Sequence, residues 1–253
     1  EGEMVLEIGP GEGALTGVLL ERGARVIAVE KDSRLIPLLR EKFKHFDISK
    51  FQVIEVDALK FDISNYGLVA SGYKLVGNIP YYITGALFKK FLTATHQPST
   101  LIFLIQKEVG ERIARSKKES ILSLSVKAYG TPKYIKTVPA GAFSPPPKVD
   151  SAILAVENIS RKNFANAEHE KKFFELVKKG FSQKRKFLKN NLGKAYYSFL
   201  QKARIETGGV GISGARLTPL LFAELVLGSL DWQIRPILLQ YRQLFHLLQQ
   251  GLA

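Results

Sequence analysis

Short apolar runs alternate with amphipathic stretches over the first 157 residues of the chain. Runs rich in Val, Ile and Leu are typical of buried strands, whereas apolar residues that recur every three or four positions are typical of helices. The runs predict strands over Met4–Ile8, Arg25–Glu30, Phe51–Val56, Lys74–Val76 and Leu101–Gln106, and the amphipathic stretches predict helices over Ala14–Arg22, Arg34–Phe43 and Thr84–Ala94.

Strands that alternate with helices form β-α-β units, and these predict an α/β fold with a parallel, doubly wound, Rossmann-like sheet. Ligands of such sheets bind beyond the carboxyl ends of the strands. The residues directly after each predicted strand are therefore the first candidates for a functional site.

The pattern changes near Glu157, after which apolar positions follow a helical spacing. We expect a domain boundary within 157–168, a first domain over 1–157, a small all-helical domain over 168–230 and an additional C-terminal helix over 231–253. We expect one apolar stripe of the last segment to pack on the helical domain. This stripe consists of Ile237, Leu238, Tyr241, Leu244, Phe245 and Leu248.

The composition excludes several classes of protein. Of the 253 residues 45% are hydrophobic, which supports a packed core, and no apolar stretch is long enough to span a bilayer. The absence of Cys removes disulfide frameworks, thiolate metal sites and cysteine nucleophiles, and with the absence of an export signal it favours a reducing cytoplasm. The four His residues have no ligand-like spacing, so we assign no metal: His45, His96, His169 and His246.

Positive charge is concentrated in one part of the chain. The formal net charge is +14, and residues 158–204 hold thirteen Lys or Arg against three Glu. An excess of this kind favours a polyanionic partner such as a nucleic acid, although a basic, solvated surface would have the same composition.

A glycine-rich loop follows the first predicted strand, in the segment from Glu7 through Gly9 and Gly11 to Ala14. Glycines let the backbone turn tightly and approach a ligand at the start of the next helix, so this loop is a candidate cofactor site. The same spacing fits a nicotinamide enzyme, an adenosyl-methionine enzyme or a tight turn without a ligand.

Carboxylates follow the next two strands. Glu30 ends the second strand about twenty residues beyond the glycines, where a carboxylate can accept hydrogen bonds from both hydroxyls of an unphosphorylated ribose. Asp57, followed by Ala58, could accept a hydrogen bond from an adenine amino group, but an Asp at this position is as often a helix cap. The pair indicates an adenosine-containing ligand.

The segment after the fourth strand is Gly77-Asn78-Ile79-Pro80-Tyr81-Tyr82. The amide oxygen of Asn78 and the carbonyl of Pro80 can together accept the two hydrogens of an exocyclic amine, while the ring of Tyr81 stacks on the base. This segment predicts a pocket for a base amine; the alternative is an ordinary strand-to-turn connection with an aromatic plug.

Four segments in this order resemble the ribosomal RNA adenine dimethyltransferases: Val5–Thr16, Asn78-Ile79-Pro80-Tyr81, Gln106-Lys107-Glu108-Val109 and Phe143-Ser144-Pro145-Pro146-Pro147-Lys148-Val149-Asp150-Ser151-Ala152. The resemblance extends over roughly Val5 to Leu230 and includes 181–192 and Arg216-Leu217-Thr218-Pro219. Within the family the chain is most similar to the housekeeping small-subunit enzymes. The Pro145–Ser151 segment favours that branch.

The resemblance implies a reaction and a set of site residues. S-adenosylmethionine would bind near Glu7, Gly9 and Gly11, with its ribose on Glu30 and its adenine beside Asp57 and Ala58. Asn78, with the Pro80 carbonyl, would hold the target amine close to the cofactor, and Tyr81 and Phe143 would enclose the flipped adenine. The product would be two adjacent N6,N6-dimethyladenines in a hairpin near the 3′ end of small-subunit ribosomal RNA.

The basic region predicts a surface for RNA. An apolar stripe formed by Phe173, Val177, Phe181, Leu188 and Leu192 leaves Lys178, Arg185 and Lys189 on another face of the helix. We expect these three cations to bind the RNA backbone; a merely solvated face is the alternative. The expected substrate is small-subunit RNA within a pre-ribosomal particle, and the expected enzyme is a monomer without a membrane segment or metal.

Three other functions also fit parts of the sequence. The antibiotic-resistance branch of the same family acts on one adenine of the large subunit, some relatives bind nucleic acid without catalysis, and the glycine loop alone would fit a nicotinamide oxidoreductase. Family members usually begin with a Gly-Gln-Asn-Phe-like segment that closes over the cofactor. The chain starts after that point, so we expect it to lack this lid. We also expect the affinity for the cofactor to depend on the lid.

Overall fold

The computed structural model describes residues 2–116 and 118–182. The strands are β1 Met4–Ile8, β2 Arg25–Glu30, β3 Phe51–Glu55, β4 Tyr73–Asn78, β5 Thr100–Gln106, β6 Thr131–Val138 and β7 Ser151–Glu157. The helices are α1 Ala14–Glu21, α2 Leu35–Lys42, α3 Thr84–Leu92, α4 Lys107–Ala114, α5 Ile121–Tyr129 and α6 Ala167–Gly180. In the same ranges, short 3₁₀ helices cover Ile63–Tyr66, Tyr81–Ile83 and Ala140–Ala142.

Within the described residues, seven strands form one sheet in the order β3-β2-β1-β4-β5-β7-β6. The strands β1 to β5 are parallel, which confirms the doubly wound sheet and its five predicted strands. The chain order reverses between β1 and β4, so the crevice for a ligand lies at the carboxyl ends of these two strands.

The sheet continues beyond the five predicted strands, and the added strands are antiparallel. Strand β7 lies between β5 and β6 and is antiparallel to both. In β6 exposed and half-buried residues alternate, with a register shift between Tyr134 and Lys136, as is typical of an edge strand. The strands β6 and β7 have no α-helix between them, and the β-α alternation therefore does not reveal this pair.

A packed apolar core supports the carboxyl edge of the sheet. Central strand residues such as Leu6, Leu75 and Phe103 have no exposed surface, and the ring of Phe103 packs edge-on against Phe88 of α3 with ring centroids 5.4 Å apart. A second cluster lies between β2, β3 and helices α1 and α2, and includes Leu39 and Phe43. Full burial of each such side chain contributes about 1.5–3 kcal/mol, which holds the strand ends in fixed positions.

The chain divides into two compact units. Unit 1 comprises Glu1–Arg115 and Val126–Ser160, and unit 2 comprises Ser116–Ser125 and Arg161–Ala253. In unit 2, α6 begins after Asn166, whose side chain accepts a hydrogen bond from the His169 N–H at 2.9 Å. The division into domains 1–157, 168–230 and 231–253 stays a prediction, because residues 183–253 lie outside the described ranges. No helix within those ranges is both long and apolar enough to cross a membrane.

Candidate active site

The glycine loop joins β1 to α1 at the point where the chain order of the sheet reverses. Gly9 and Gly11 have φ angles of 68° and 59°, in the left-handed region that favours glycine. A Cβ atom on Gly9 would lie 3.4 Å from the backbone oxygen of Asn78, whereas one on Gly11 would meet nothing within 4 Å. The backbone at Gly11 thus faces open space, as a site for a bound cofactor requires, and Gly9 lies against the end of β4.

Glu30, the last residue of β2, anchors this loop. One carboxylate oxygen accepts hydrogen bonds from the N–H groups of Lys31 at 2.8 Å and Asp32 at 2.9 Å, and the other accepts from the Gly11 N–H at 3.3 Å. The side chain is 9% exposed. The second oxygen keeps a free lone pair for a ligand hydroxyl. Glu30 is therefore both an anchor for the loop and a candidate for the ribose.

Asp57 follows β3, two residues beyond its last residue. Its Oδ1 accepts a hydrogen bond from the Leu59 N–H at 2.9 Å, and its Oδ2 lies 3.2 Å from the Lys31 ammonium. The Leu59 N–H and then Lys31 hold the pKa of this carboxyl below its usual range. Oδ1 of Asp57 thus holds the turn over 58–60 and does not cap a helix, while Oδ2 pairs with the exposed Lys31. Ala58 is buried beside it.

Glu7 is a buried carboxyl group directly before the glycine loop. It is 2% exposed, and it accepts a hydrogen bond of 2.7 Å from the hydroxyl of Thr16 in the first turn of α1. Burial raises its pKa to about 7, and the bond from Thr16 opposes the shift. Glu7 and Thr16 thus connect the two ends of the loop. The sequence did not single out Thr16, whose only signal is its place in the first turn of α1.

We expect this buried carboxyl group to make stability depend on pH. From its usual pKa near 4.5 up to about 7, Glu7 is ionised in the unfolded chain but protonated in the folded one, so the free energy of unfolding falls as the pH rises through this window. The Glu7→Gln variant keeps an oxygen for Thr16 and does not titrate. Its stability relative to wild type should increase by roughly 3 kcal/mol between pH 4.5 and 7.5, measured by urea unfolding at each pH. A stability difference between Glu7→Gln and wild type that stays constant with pH would contradict the buried carboxyl with a raised pKa.

The Asn78–Tyr81 segment begins within β4 and not after it, since Gly77 and Asn78 are its last two residues. The Asn78 side chain is exposed, and its amide has no hydrogen-bond partner within the described residues. The Pro80 carbonyl accepts the Ile83 N–H at 3.1 Å, which leaves one lone pair for another donor. Both groups can therefore still accept hydrogen bonds from an amine.

The two aromatic candidates lie on separate short 3₁₀ segments. Tyr81 begins one of them, is half-buried and shares a 2.7 Å hydrogen bond between its hydroxyl and that of Ser151. Phe143, also half-buried, ends the segment Ala140–Ala142 and donates its N–H to the Ala140 carbonyl at 3.2 Å. Ser151 lies in the motif that carries the family resemblance, but no pattern in the sequence connects it with Tyr81, 70 residues away.

The predicted cofactor residues lie at neighbouring strand ends. Gly9 approaches Asn78, Gly11 bonds to Glu30, and the N–H next to Asp57, that of Val56, donates to the Glu30 carbonyl at 2.9 Å. Of the predicted RNA-binding residues, Lys178 is exposed on α6, whereas Arg185 and Lys189 lie outside the described ranges. The part of the chain that is described contains no cluster of three or more His, Asp or Glu residues arranged for a metal ion.

The fold and the site together define a Rossmann-like methyltransferase: a glycine loop and a buried carboxylate at the reversal of chain order, next to an Asn-Ile-Pro-Tyr segment. Among solved structures, the 23S rRNA methyltransferase ErmE is similar, with a TM-score of 0.70 and 26% identity over 91% of each chain. A dimethyladenosine transferase from Plasmodium falciparum has a TM-score of 0.65 and 26% identity, covering 88% of this chain and 78% of that one.

The sequence comparisons identify the family. The family model for ribosomal RNA adenine dimethylase matches residues 1–214. The Ribosomal RNA small subunit methyltransferase A of Dehalococcoides mccartyi strain CBDB1 is 40% identical over 223 residues, which is 88% of this chain and 76% of that protein. The chain therefore belongs to the ribosomal RNA adenine dimethylase family, which confirms the resemblance.

Enzymes of this family use S-adenosylmethionine, and the described residues fit it. The open backbone position at Gly11 suits the close approach of a cofactor, and Glu30 keeps an acceptor for a ribose hydroxyl beside it. No phosphate-binding cation is needed, because S-adenosylmethionine carries no phosphate. When bound, the cofactor supplies an electrophilic methyl group on a sulfonium.

Proposed function

We propose that the protein dimethylates the N6 amines of two adjacent adenines in the 3′-terminal hairpin of small-subunit ribosomal RNA. The observation that carries this proposal is the exposed Asn78 amide, which has no partner among the described residues and ends β4 beside the glycine loop. Family membership and the name of the Dehalococcoides relative support the substrate.

The cofactor side of the proposed site is built from strand ends. Glu7 with Thr16 and Glu30 with the Gly11 N–H hold the glycine loop in an open shape. Glu30 accepts from the ribose, and Asp57 and Ala58 border the adenine. These groups would hold and orient the cofactor beside the end of β4, where Gly9 lies against Asn78.

The amine side must change the electronic state of the target nitrogen. The N6 lone pair of adenine is delocalised into the ring, so it must be localised before it can attack a methyl group. The Asn78 amide oxygen and the free lone pair of the Pro80 carbonyl accept the two N–H groups and favour the pyramidal amine. The described residues include no dedicated base at this position, so the proton that the methylated amine loses would pass to water. The reaction would rely on orientation in place of a covalent intermediate.

Stacking fixes the approach of the base. Tyr81 and Phe143 are half-buried aromatic residues on short segments at the same edge of the sheet, and each can cover one face of a flipped adenine. After the first methylation one N–H remains for the acceptors of the site to hold.

A second candidate is methylation of a large-subunit adenine, which is favoured by the structural similarity to ErmE. The two candidates share the chemistry and the site, and they differ only in the RNA that is recognised. The greater sequence identity to the small-subunit relative favours the first.

Incubation with S-adenosylmethionine and particles isolated from cells tests the proposal. We expect N6,N6-dimethyladenine at two adjacent positions of small-subunit RNA in immature particles, and no methylation of large-subunit RNA under the same conditions. Methylation of large-subunit RNA alone would favour the second candidate, and modification of neither would contradict both. A pre-ribosomal particle in the cytoplasm as the natural substrate, and a monomeric enzyme, are part of the proposal.

Neutralising the predicted RNA-binding face should weaken RNA binding. We expect the triple variant Lys178→Gln, Arg185→Gln, Lys189→Gln to lower affinity and to reduce the slope of log K against log salt by about 0.7–0.9 for each phosphate that the protein no longer neutralises. S-adenosylmethionine affinity should not change. The measurement is RNA binding between low and moderate salt.

A control variant removes the same charge elsewhere, with Arg22, Lys44 and Lys50 changed to Gln, all exposed in unit 1. If the slope falls equally in both triple variants, the effect is one of net charge alone. If the first variant keeps the full slope, the RNA binds to a different surface.

A further inference from the structure

Two adjacent residues at the start of β7, Asp150 and Ser151, contact both segments that carry the aromatic candidates. Ser151 is fully buried, pairs with Gln106 of β5 and Val138 of β6, and shares its hydroxyl hydrogen bond of 2.7 Å with Tyr81. Asp150 precedes it and turns toward the other segment. A buried strand that is paired with another strand on each side is a rigid support for such contacts.

Asp150 holds the turn before Phe143 by a side-chain bond. Its Oδ1 accepts the Ala140 N–H at 3.1 Å, and the carbonyl of Ala140 in turn accepts the Phe143 N–H. Its backbone carbonyl accepts the Lys107 N–H at 3.0 Å, which ties it to the start of α4. The Lys107 ammonium is 3.6 Å from Oδ2, but both side chains are 41% exposed, so this ion pair contributes little.

We infer that Asp150 and Ser151 are positioning residues, which orient Phe143 and Tyr81 respectively around the target adenine. This inference rests on the proposed function, in which those two rings enclose the base. Neither residue touches the substrate. Ser151 limits rotation of the Tyr81 ring by holding its hydroxyl, and Asp150 limits movement of the turn that ends at Phe143.

The first test removes the Tyr81–Ser151 bond from each side. Ser151→Ala and Tyr81→Phe should each lower the single-turnover rate of methyl transfer roughly three- to tenfold, with S-adenosylmethionine affinity and KM for the particle little changed. The double variant should lose no more than either single one, because both remove one bond. Tyr81→Phe leaves no cavity, so it keeps the test valid if Ser151→Ala folds poorly. Additive losses, or no loss, would overturn the inference.

The second test separates the hydrogen bond of Asp150 from its charge. Asp150→Asn keeps a carbonyl oxygen for the Ala140 N–H and should retain most of the rate, whereas Asp150→Ala should lose roughly three- to tenfold. Equal losses in the two variants would assign the effect to the Lys107 pair and overturn this half of the inference. The matched control for Ser151→Ala is Ser99→Ala, because the Ser99 hydroxyl donates a hydrogen bond to the Tyr73 carbonyl at the opposite end of the sheet.

Amide hydrogen exchange gives a readout that does not require activity. Ser151→Ala should speed exchange in residues 79–84 and not in 139–143, and Asp150→Ala should do the reverse. If the wild-type protein methylates no ribosomal RNA, the proposed function fails, but the exchange pattern still decides the positioning role. Unchanged exchange in both variants would overturn it even in an active enzyme.

Discussion

Replacing Asn78 with alanine is expected to lower the single-turnover rate of methyl transfer by roughly 100- to 1,000-fold. The Asn78 amide oxygen is the acceptor that gains most as the target nitrogen becomes pyramidal, so its loss acts on the transition state more than on the bound substrate. Because the side chain is exposed and has no partner within the described residues, the variant should fold normally.

Three measurements separate this effect from weaker binding. The transfer rate is followed under single-turnover conditions on small-subunit particles, and S-adenosylmethionine and RNA affinities are measured on the same preparations. Asn65→Ala, an exposed asparagine in the 3₁₀ helix Ile63–Tyr66, is the matched control and should behave as wild type. Near-normal transfer by Asn78→Ala would show that the amine is held elsewhere.

The Glu30→Ala variant should weaken S-adenosylmethionine binding by roughly 10- to 100-fold. Two losses combine in this variant. The ribose loses a charged acceptor, and the N–H groups of Gly11, Lys31 and Asp32 lose theirs, so the glycine loop no longer keeps the shape that binds the cofactor. The second loss also predicts lower thermal stability, which the sequence alone does not suggest.

The neighbouring strand provides a close control for Glu30. Glu55 is paired in register with Glu30 at the end of β3, but it is exposed. Calorimetric titration with S-adenosylmethionine should show unchanged affinity for Glu55→Ala. An equal, small loss in both variants would mean that the carboxylate contributes only through long-range charge, and would remove Glu30 from the cofactor site.

The local pattern of the chain is sufficient to predict the parallel half of the sheet. Each of β1 to β5 contains an apolar run, and an α-helix follows each of β1, β2 and β4, so local propensity and tertiary burial agree. The antiparallel β6 and β7 were missed because the polar, alternating β6 resembles a loop and because its partner is reached through a long Pro-rich turn. Pairing between strands is a tertiary property that no short stretch of sequence shows by itself.

In the site, too, one part could be predicted from the sequence and another part could not. Glycines and carboxylates at strand ends could be predicted because the topology of a doubly wound sheet brings all carboxyl ends to one edge. The hydrogen bonds that hold these glycines and carboxylates in place could not be predicted. Glu30 bonds to Gly11 across 19 residues and Tyr81 to Ser151 across 70, and a sequence specifies such contacts only through the packed structure.

The position of β7 between β5 and β6 has a consequence for the order of synthesis. Strand β6 is synthesised before β7. In the described sheet it pairs with β7 alone, so it can join the sheet only after β7 has been made. Chains are made from the N-terminus at about 5–20 residues per second, and the five parallel strands with the glycine loop are complete at Gln106. Synthesis thus supplies the strands of the cofactor side first, and the supports that we infer for Tyr81 and Phe143 only with the later hairpin.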